Sequence, residues 1–531
     1  MRVPDDAVGR KGTCKQCGNT VNVPDRTAAP VFSGETGPAE STATGKPPSE
    51  IPVTRQTPQQ QDTSRLNVKA IGDSVRNAMP SGFMTRRRRI AITGLANTGK
   101  TVFLTTLLNH LNHHEPSDFP IFSETKQLPV KQFTEEQPTD DIDKFDYGNF
   151  SQAMRTGRWP HKTVDVSAYC CRFKTDHHWR THQVEFLDWP GERVADAVMY
   201  KRDYAEWSDY LLKWWDEDDY RQHVSPYFLA VQQSGFTEES ILQGYRLALA
   251  RLILHHNPLI SPSCFLVGHD GIRLRGTSAE QLASVGLVGL NREAQFAPLP
   301  KEIRHSHPVL ATKFEERYRQ YRTQVVCHLF NAVQSCNRLI VLLDIPDILA
   351  SGHGRLNDNY EMVYELIKAL EPPSSKATRI IKGIWHAVAP ASWMWMGVEK
   401  IAFVATKADL VAGEENRNNL RLLMQQMLRD IQNRIPAVKI ECFVASPVKS
   451  TGQPADGSFL TGKLMCDERG NRLSPDAPER TFKPSPVPSR WPERWSNGQY
   501  SFPPVYPAIP MGKFMLPRHI GLDKVFQFIL E

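Results

Sequence analysis

Apolar residues gather along the chain in six short runs. They are "IAIT" (90–93), "TVDVSAYCCRF" (163–173), "HQVEFLD" (182–188), "RLIVLLD" (338–344), "KIAFVAT" (400–406) and "KIECFVA" (439–445). Runs without polar interruption fit parallel strands covered on both faces. The second run alternates instead, and the polar stretch "KTDHHWRT" joins it to the third. That pair predicts an antiparallel hairpin at a sheet edge. Helical periodicity fills the intervals, most clearly over 101–112, 359–370 and 415–434. Strands alternating with helices predict an α/β sheet flanked by helices. Between the third and fourth runs lie about 150 residues with helical patterns and many aromatics. "RLALARLILHH" (246–256) and "FEERYRQYRTQVVCHLFNAV" (314–333) are the clearest. They predict a mostly helical insertion whose last helix leads into the fourth strand.

The stretch before the first run reads differently. Residues 28–62 are rich in Pro, Ser, Thr, Gly and Gln and nearly free of large apolar side chains. Burial cannot offset the ordering entropy of such a segment, so a disordered linker is expected. A short helix is expected over 64–79, where Leu66, Val68, Ile71 and Val75 keep helical spacing. "RRRR" (86–89) precedes the first strand and reads as a solvated flank, with a nucleic-acid or membrane patch as the lesser alternative.

Composition narrows the function classes. Lys plus Arg is 64 and Asp plus Glu is 58 in 531 residues, a net charge of +6. This gives no electrostatic case for nucleic acid as the main partner. Nine scattered cysteines suggest reduced thiols and a cytoplasmic setting. The polar, acidic start carries no secretory signal. The most apolar stretch, "GIWHAVAPASWMWMG" (383–397), is too short to span a bilayer, contains His386 and is interrupted by Pro390. It reads as a buried or interfacial segment, which leaves peripheral membrane association open and predicts no transmembrane helix.

"GLANTGKT" (94–101) follows the first strand and opens a helical pattern, the setting that a phosphate-binding P-loop requires. Gly94 and Gly99 let backbone N–H groups turn toward phosphate, and the helix start adds positive potential. Lys100 would bridge the β- and γ-phosphates, and Thr101 would offer its hydroxyl to Mg²⁺. Asn97 and Thr98 complete the loop. "FLDWPGE" (186–192) supplies a second motif of D-x-x-G form. Asp188 would order the water shell of Mg²⁺, and Gly191 would present its N–H to the γ-phosphate. Glu192 takes the place of a water-orienting residue. It either polarises that water or merely forms a salt bridge. "TKAD" (406–409) ends the fifth strand, where Asp409 can accept from both N–H donors of guanine and Lys407 can lay its stem along the base. Thr163, at the end of "RWPHKT", is a candidate switch threonine for Mg²⁺. Arg155 and Arg158 lie just upstream, as cis arginine-finger candidates or as solvated side chains. In "VASPVKS" (444–450), Ala445 and Ser446 stand where a base loop would meet guanine O6, although Pro447 has no N–H to give.

The wording of these stretches, with "FEERYRQYRTQVV", "NRLIVLLDI" and the tail "PRHIGLDKVFQFIL", resembles the YcjX-like family of P-loop NTPases from about residue 86 to the C-terminus. The resemblance implies a Ras-like sheet with a helical insertion, binding GTP or GDP with Mg²⁺ in the bacterial cytoplasm, and a link to stress response. It carries the nucleotide role onto Gly94, Asn97, Gly99, Lys100, Thr101, Thr163, Asp188, Gly191, Lys407 and Asp409. The expected division is a zinc-ribbon-like segment (1–27), a linker (28–62), the first part of a GTPase domain (63–204), the insertion (205–335) and the second part (336–531). The expected activity is a slow GTPase switch with Lys100, Glu192 and Thr163 at the reaction and an unnamed effector protein as partner. The alternatives are a nucleotide-binding scaffold without turnover, or an ATPase.

That family is not expected to carry a cysteine head like the one found here. "VPD" occurs at Val3 and again at Val23, and Cys14-x-x-Cys17-Gly precedes the second copy. Counting back the same interval from Val3 places another C-x-x-C before Met1. Cys14 and Cys17 are therefore candidate Zn²⁺ ligands of a partial ribbon. The expectation is a natural start upstream of Met1, with a decayed ribbon or zinc shared between chains as alternatives.

Overall fold

The six apolar runs all become strands of one sheet, and that sheet gains members that periodicity does not reveal. The computed structural model describes residues 11–13, 20–22, 85–95, 97–113, 130–138, 142–161, 166–175, 181–255, 278–284, 292–370, 398–435, 438–454, 457–467, 470–510 and 515–531. The chain forms two units, residues 1–71 and 72–531. In the first, β1 (Lys11–Thr13) and β2 (Thr20–Asn22) pair antiparallel with Gly12 opposite Val21. Cys14, Cys17, the linker over 28–62 and the helix expected over 64–79 lie outside the described residues.

The second unit is built on β3 (Thr85–Gly94), β4 (Val130–Glu136), β5 (Asp143–Lys144), β6 (Ser167–Thr175), β7 (Thr181–Asp188), β8 (Arg338–Leu343), β9 (Lys400–Ala405) and β10 (Lys439–Val444). The order across the sheet is β10-β9-β8-β3-β7-β6-β4, with β5 beside β6. The five strands from β10 to β7 run parallel, and β6 returns antiparallel against β7. This is a Ras-like P-loop sheet with helices on both faces and a helical insertion after β7. Every residue of β8 is buried, as a central parallel strand with two covered faces requires.

Two expectations need correction. The β6–β7 hairpin is not the sheet edge, because β4 pairs outside β6. A bulge between Lys131 and Thr134 breaks the two-residue period of β4 and hides it from pattern reading. The basic run is a solvated flank only in part, since Arg87 is exposed but Arg88 and Arg89 are largely covered. Residues 86–89 lie within β3, each opposite a residue of β7. Arg88 is buried, while Arg89 pairs with Glu185 at 3.1 Å and donates to Ser335 Oγ at 2.6 Å. The long methylene stems allow arginine to line a covered strand as long as the guanidinium finds acceptors.

Side chains alternate along β3, and the core divides accordingly. Ile90 and Ile92 face α1 (Lys100–Asn112) and the C-terminal helix, joining Phe103, Leu107 and Phe526. Ala91 faces the other side, in a larger core that holds Trp189, Trp207, Trp215 and Phe330. The insertion shares this core. It contains α2 (Tyr204–Trp215), opened by a capping box between Asp203 and Glu206, then α3 (Asp218–Gln232) and α4 (Glu238–Leu254). Its last helical run is α5 (Pro308–Tyr321), one π-helical stretch over Arg322–Val326, and α6 (Cys327–Gln334), which leads into β8. The segment after β7, a 3₁₀ turn over Gly191–Asp196 and a helical turn over Ala197–Tyr200, rests on that run. Trp189 meets Phe330 edge to face at 4.8 Å, and the Tyr318 hydroxyl donates to the Arg202 carbonyl at 3.0 Å. The Tyr321 hydroxyl donates to the buried carboxylate of Asp196 at 2.7 Å.

Removing a donor to a buried carboxylate costs about 1.5–3 kcal/mol. Tyr321→Phe is therefore expected to lower the thermal midpoint by roughly 1.5–3 °C in a unit of this size. A wild-type midpoint by calorimetry would show that the Asp196 carboxylate does not rely on this hydroxyl.

Candidate nucleotide site

Parallel register places the ends of five strands at one edge of the sheet, and the site is assembled there. Asp188 ends β7 opposite Ile92, just before the glycine loop leaves β3. Gly94 has φ +147°, and a Cβ there would lie 2.3 Å from the Leu342 carbonyl oxygen. Glycine is the one residue that lets the loop pass this close to β8. Asn97 and Gly99 also adopt positive φ, at 65° and 87°. Gly99 is the N-cap of α1 and has no side chain to satisfy the helix's first N–H groups, which leaves a cradle for an anion. Thr98 Oγ1 donates to the Leu95 carbonyl at 2.9 Å and closes the turn. Lys100 Nζ donates to the carbonyls of Gly94 at 3.1 Å and Leu95 at 2.9 Å, so the ammonium lies against the loop.

The base side is built by the ends of β8, β9 and β10. Lys407 takes a left-handed φ of 58°, a conformation that non-glycine residues hold mainly where the surroundings impose it. Its ammonium pairs with the carboxylate of Asp344, the residue that follows β8. Asp344 also caps the helix α7 (Ile345–Ser351), accepting from the Asp347 N–H at 3.1 Å. Burial pushes the Asp344 carboxyl up, and the Lys407 ammonium opposes that shift. Lys407 is itself held above its ordinary value by Asp344 in spite of desolvation.

Asp409 is buried and held on both oxygens. Ser446 Oγ donates to Oδ1 at 2.6 Å and the Ser450 N–H to Oδ2 at 2.9 Å. Burial pushes its carboxyl up, and these two hydrogen bonds pull against that shift. The N–H groups of Ala445 and Ser446 are committed elsewhere, to the carbonyls of Ala405 and Ile520, each at 2.9 Å. Ser446 thus reaches the site through its hydroxyl on Asp409.

One cavity of about 500 Å³ collects these parts. Asn97 to Val102, Gly191, Asp344, Thr406, Lys407, Asp409 and Ser446 all line it. Asp188 and Ala445 stand behind this lining, wholly buried. Thr163 and the Glu192 side chain lie outside the described residues. Pattern reading missed Asp344, Ser450 and the cavity's aromatic rim at Trp159 and Phe502. Asp344 left a signal, since it ends a buried strand just as Asp188 does.

The model of the YcjX-like family, DUF463, matches residues 88–250 and 292–531. The chain belongs to the YcjX-like family. It is 27% identical over 492 residues to a protein of Escherichia coli (strain K12) named "Ras-like GTPase YcjX", covering 86% of this chain and 97% of that one. It is 24% identical over 492 residues to the protein of the same name from Shewanella oneidensis, covering 84% and 94%. The family match begins within β3 and takes in the glycine loop, β7 with Asp188, and the ends of β8, β9 and β10. Among the described residues of this YcjX-like chain, no helix is long and apolar enough to cross a membrane.

Asp344→Asn leaves the Lys407 ammonium without its counter-charge. Because Lys407 is partly exposed at the cavity, the expected loss is at the modest end for such pairs, about 1–2 kcal/mol. A denaturant midpoint equal to wild type would show that the pair adds nothing to stability.

Proposed function

We propose that this chain is a cytoplasmic Mg²⁺-dependent GTPase switch that binds GTP and GDP and hydrolyses GTP slowly. The observation that carries this reading is a single cavity lined at once by the P-loop, by Gly191 of the D-x-x-G motif, and by Lys407 and Asp409. The names of the two relatives support it.

The residues fit the nucleotide. The uncapped start of α1 and the Lys100 ammonium suit a polyphosphate. Thr101, with Asp188 at the adjoining strand end, suits Mg²⁺ bound by one hydroxyl and a carboxylate-ordered water shell. Bound Mg²⁺ would neutralise charge on the β- and γ-phosphates. Thr163 is the proposed second hydroxyl for the metal, and Gly191 the N–H for the γ-phosphate. Glu192 is the proposed water-orienting residue, and turnover without a partner is expected to be slow. Asp409 selects guanine because an ionised carboxylate accepts from N1–H and N2–H₂ together, a donor pair that adenine lacks. Loss of the γ-phosphate would release the segment after β7, which lies on α5 and α6, so the insertion is the proposed route to an effector protein. In the head, Cys14 and Cys17 are the proposed Zn²⁺ ligands.

Lys100→Ala is expected to lower GDP affinity at least about 100-fold, since a charge-assisted phosphate contact is worth several kcal/mol when desolvated. Unchanged affinity by calorimetry would remove the phosphate site from the account. Asp409→Asn trades an acceptor for a donor, so preference should move from guanine to xanthine nucleotides, whose O2 accepts; retained guanine preference would refute the assigned role.

The pH dependence follows from the raised Asp409 carboxyl. A folded pKa above the ordinary 3.8 means that Asp409 holds its proton to a higher pH than a free aspartate does. Guanine needs the ionised form, so GDP affinity should begin to fall through Asp409 before pH 3.8 is reached and should drop more than ADP affinity, which shares only the protonation of the phosphates. Parallel pH profiles for the two nucleotides test this.

A further inference from the structure

The cavity has two unlike walls. One is polar, formed by the glycine loop, Asp344, Lys407 and Asp409. The other is apolar and comes from the chain beyond β10, through Met465, Phe502, Pro504 and Val505. Such a surface has nothing to offer a phosphate, but it suits the faces of a base and the carbons of a ribose.

This outer segment is held in place independently of any ligand. Leu464 and Val505 form an antiparallel bridge, and Met465 N–H donates to the Pro504 carbonyl at 2.9 Å. Tyr506 N–H returns to the Lys463 carbonyl at 2.8 Å. Further along, the Trp495 indole donates to the Leu349 carbonyl at 2.9 Å on α7, the helix that starts beside Asp344. The segment also meets the stretch just before Thr163. Trp159 Nε1 donates to the Val505 carbonyl at 2.9 Å, and a Cβ on Gly157 would lie 3.1 Å from Ile509. Trp159 itself lines the same cavity.

We propose that the segment after β10 is the outer gate of the nucleotide pocket, with Phe502 as its apolar face and the Trp159–Val505 hydrogen bond as its latch. The proposal rests on the guanine-nucleotide reading above and adds to it a determinant of how long the nucleotide stays. A bound nucleoside would lie between Lys407 and the apolar wall, and opening of the latch would ease its departure. Because Trp159 sits just before Thr163, rearrangement of that stretch would reach the gate directly. Phe502 and Trp159 are positioning residues that act on residence time, not on the phosphate chemistry.

The test is release of tritiated GDP, with an unmodified ribose, from the full-length chain in Mg²⁺. Phe502→Ala is expected to speed release about tenfold through lost apolar contact. Trp159→Phe keeps the ring and removes the donor, and should speed release about fivefold. Phe502→Leu should restore most of the wild-type rate. Guanine-over-adenine preference should stay within about twofold of wild type and association should be no slower, which a general loss of structure would not allow. Variants that melt like wild type and release GDP at the wild-type rate would overturn the gate and leave the nucleotide reading standing. Faster release accompanied by loss of guanine preference would also overturn it. A wild-type chain that binds no GDP would overturn both readings.

Discussion

The site depends on the register of β3 between two parallel neighbours. Ile92 lies opposite Asp188 on one side and Ile340 on the other, and Gly94 lies opposite Leu342. These pairings align the strand ends, so the glycine loop, Asp188, Asp344 and Lys407 emerge at one edge without any of them touching in sequence. A one-residue slip would turn Ile90 and Ile92 out of one core and Ala91 out of the other. The hydrophobic core thereby fixes the polar site. The close pass of Gly94 over the Leu342 carbonyl is the tightest expression of that constraint, because no side chain fits there.

Two further parts of the chain pack beside this edge. On one side the segment after Asp188 is fastened to the insertion by Trp189 on Phe330 and by Asp196 under the Tyr321 hydroxyl. The π-helical stretch begins at Arg322, directly after that tyrosine. Such stretches carry a displaced hydrogen-bond register and recur at functional positions in helices. On the other side the chain after β10 lines the cavity through Met465, Phe502 and Val505 and meets Trp159. The insertion therefore contacts the segment after β7 and the C-terminal segment the stretch at Trp159, and each is tied to the sheet by its own anchors.

The parallel strands were legible because buried central strands are continuous apolar runs. The glycine loop, Asp188 and Asp409 were legible because each stands at the end of such a run. What the sequence hid was long-range or irregular. β4 is masked by its bulge, so Val130 and Phe133 fall out of the two-residue period. Arg88 and Arg89 read as surface, although the strand extends through them. The partners of Asp409 come from Ser446 and Ser450, and those of Lys407 from Asp344, pairings that only the sheet order creates. The apolar gate was the least visible feature, since Met465, Phe502 and Val505 are isolated among prolines and polar residues with no period to mark them.

The central claim is that the cavity takes a guanine nucleotide and turns it over. Isothermal titration of the purified chain with GDP and with ADP in Mg²⁺, followed by phosphate release from GTP, tests it most directly. The account predicts saturable binding of GDP with at least about a tenfold preference over ADP, a difference of 1.4 kcal/mol, and slow release of phosphate. Equal affinity for both bases, or no binding of either, would contradict it.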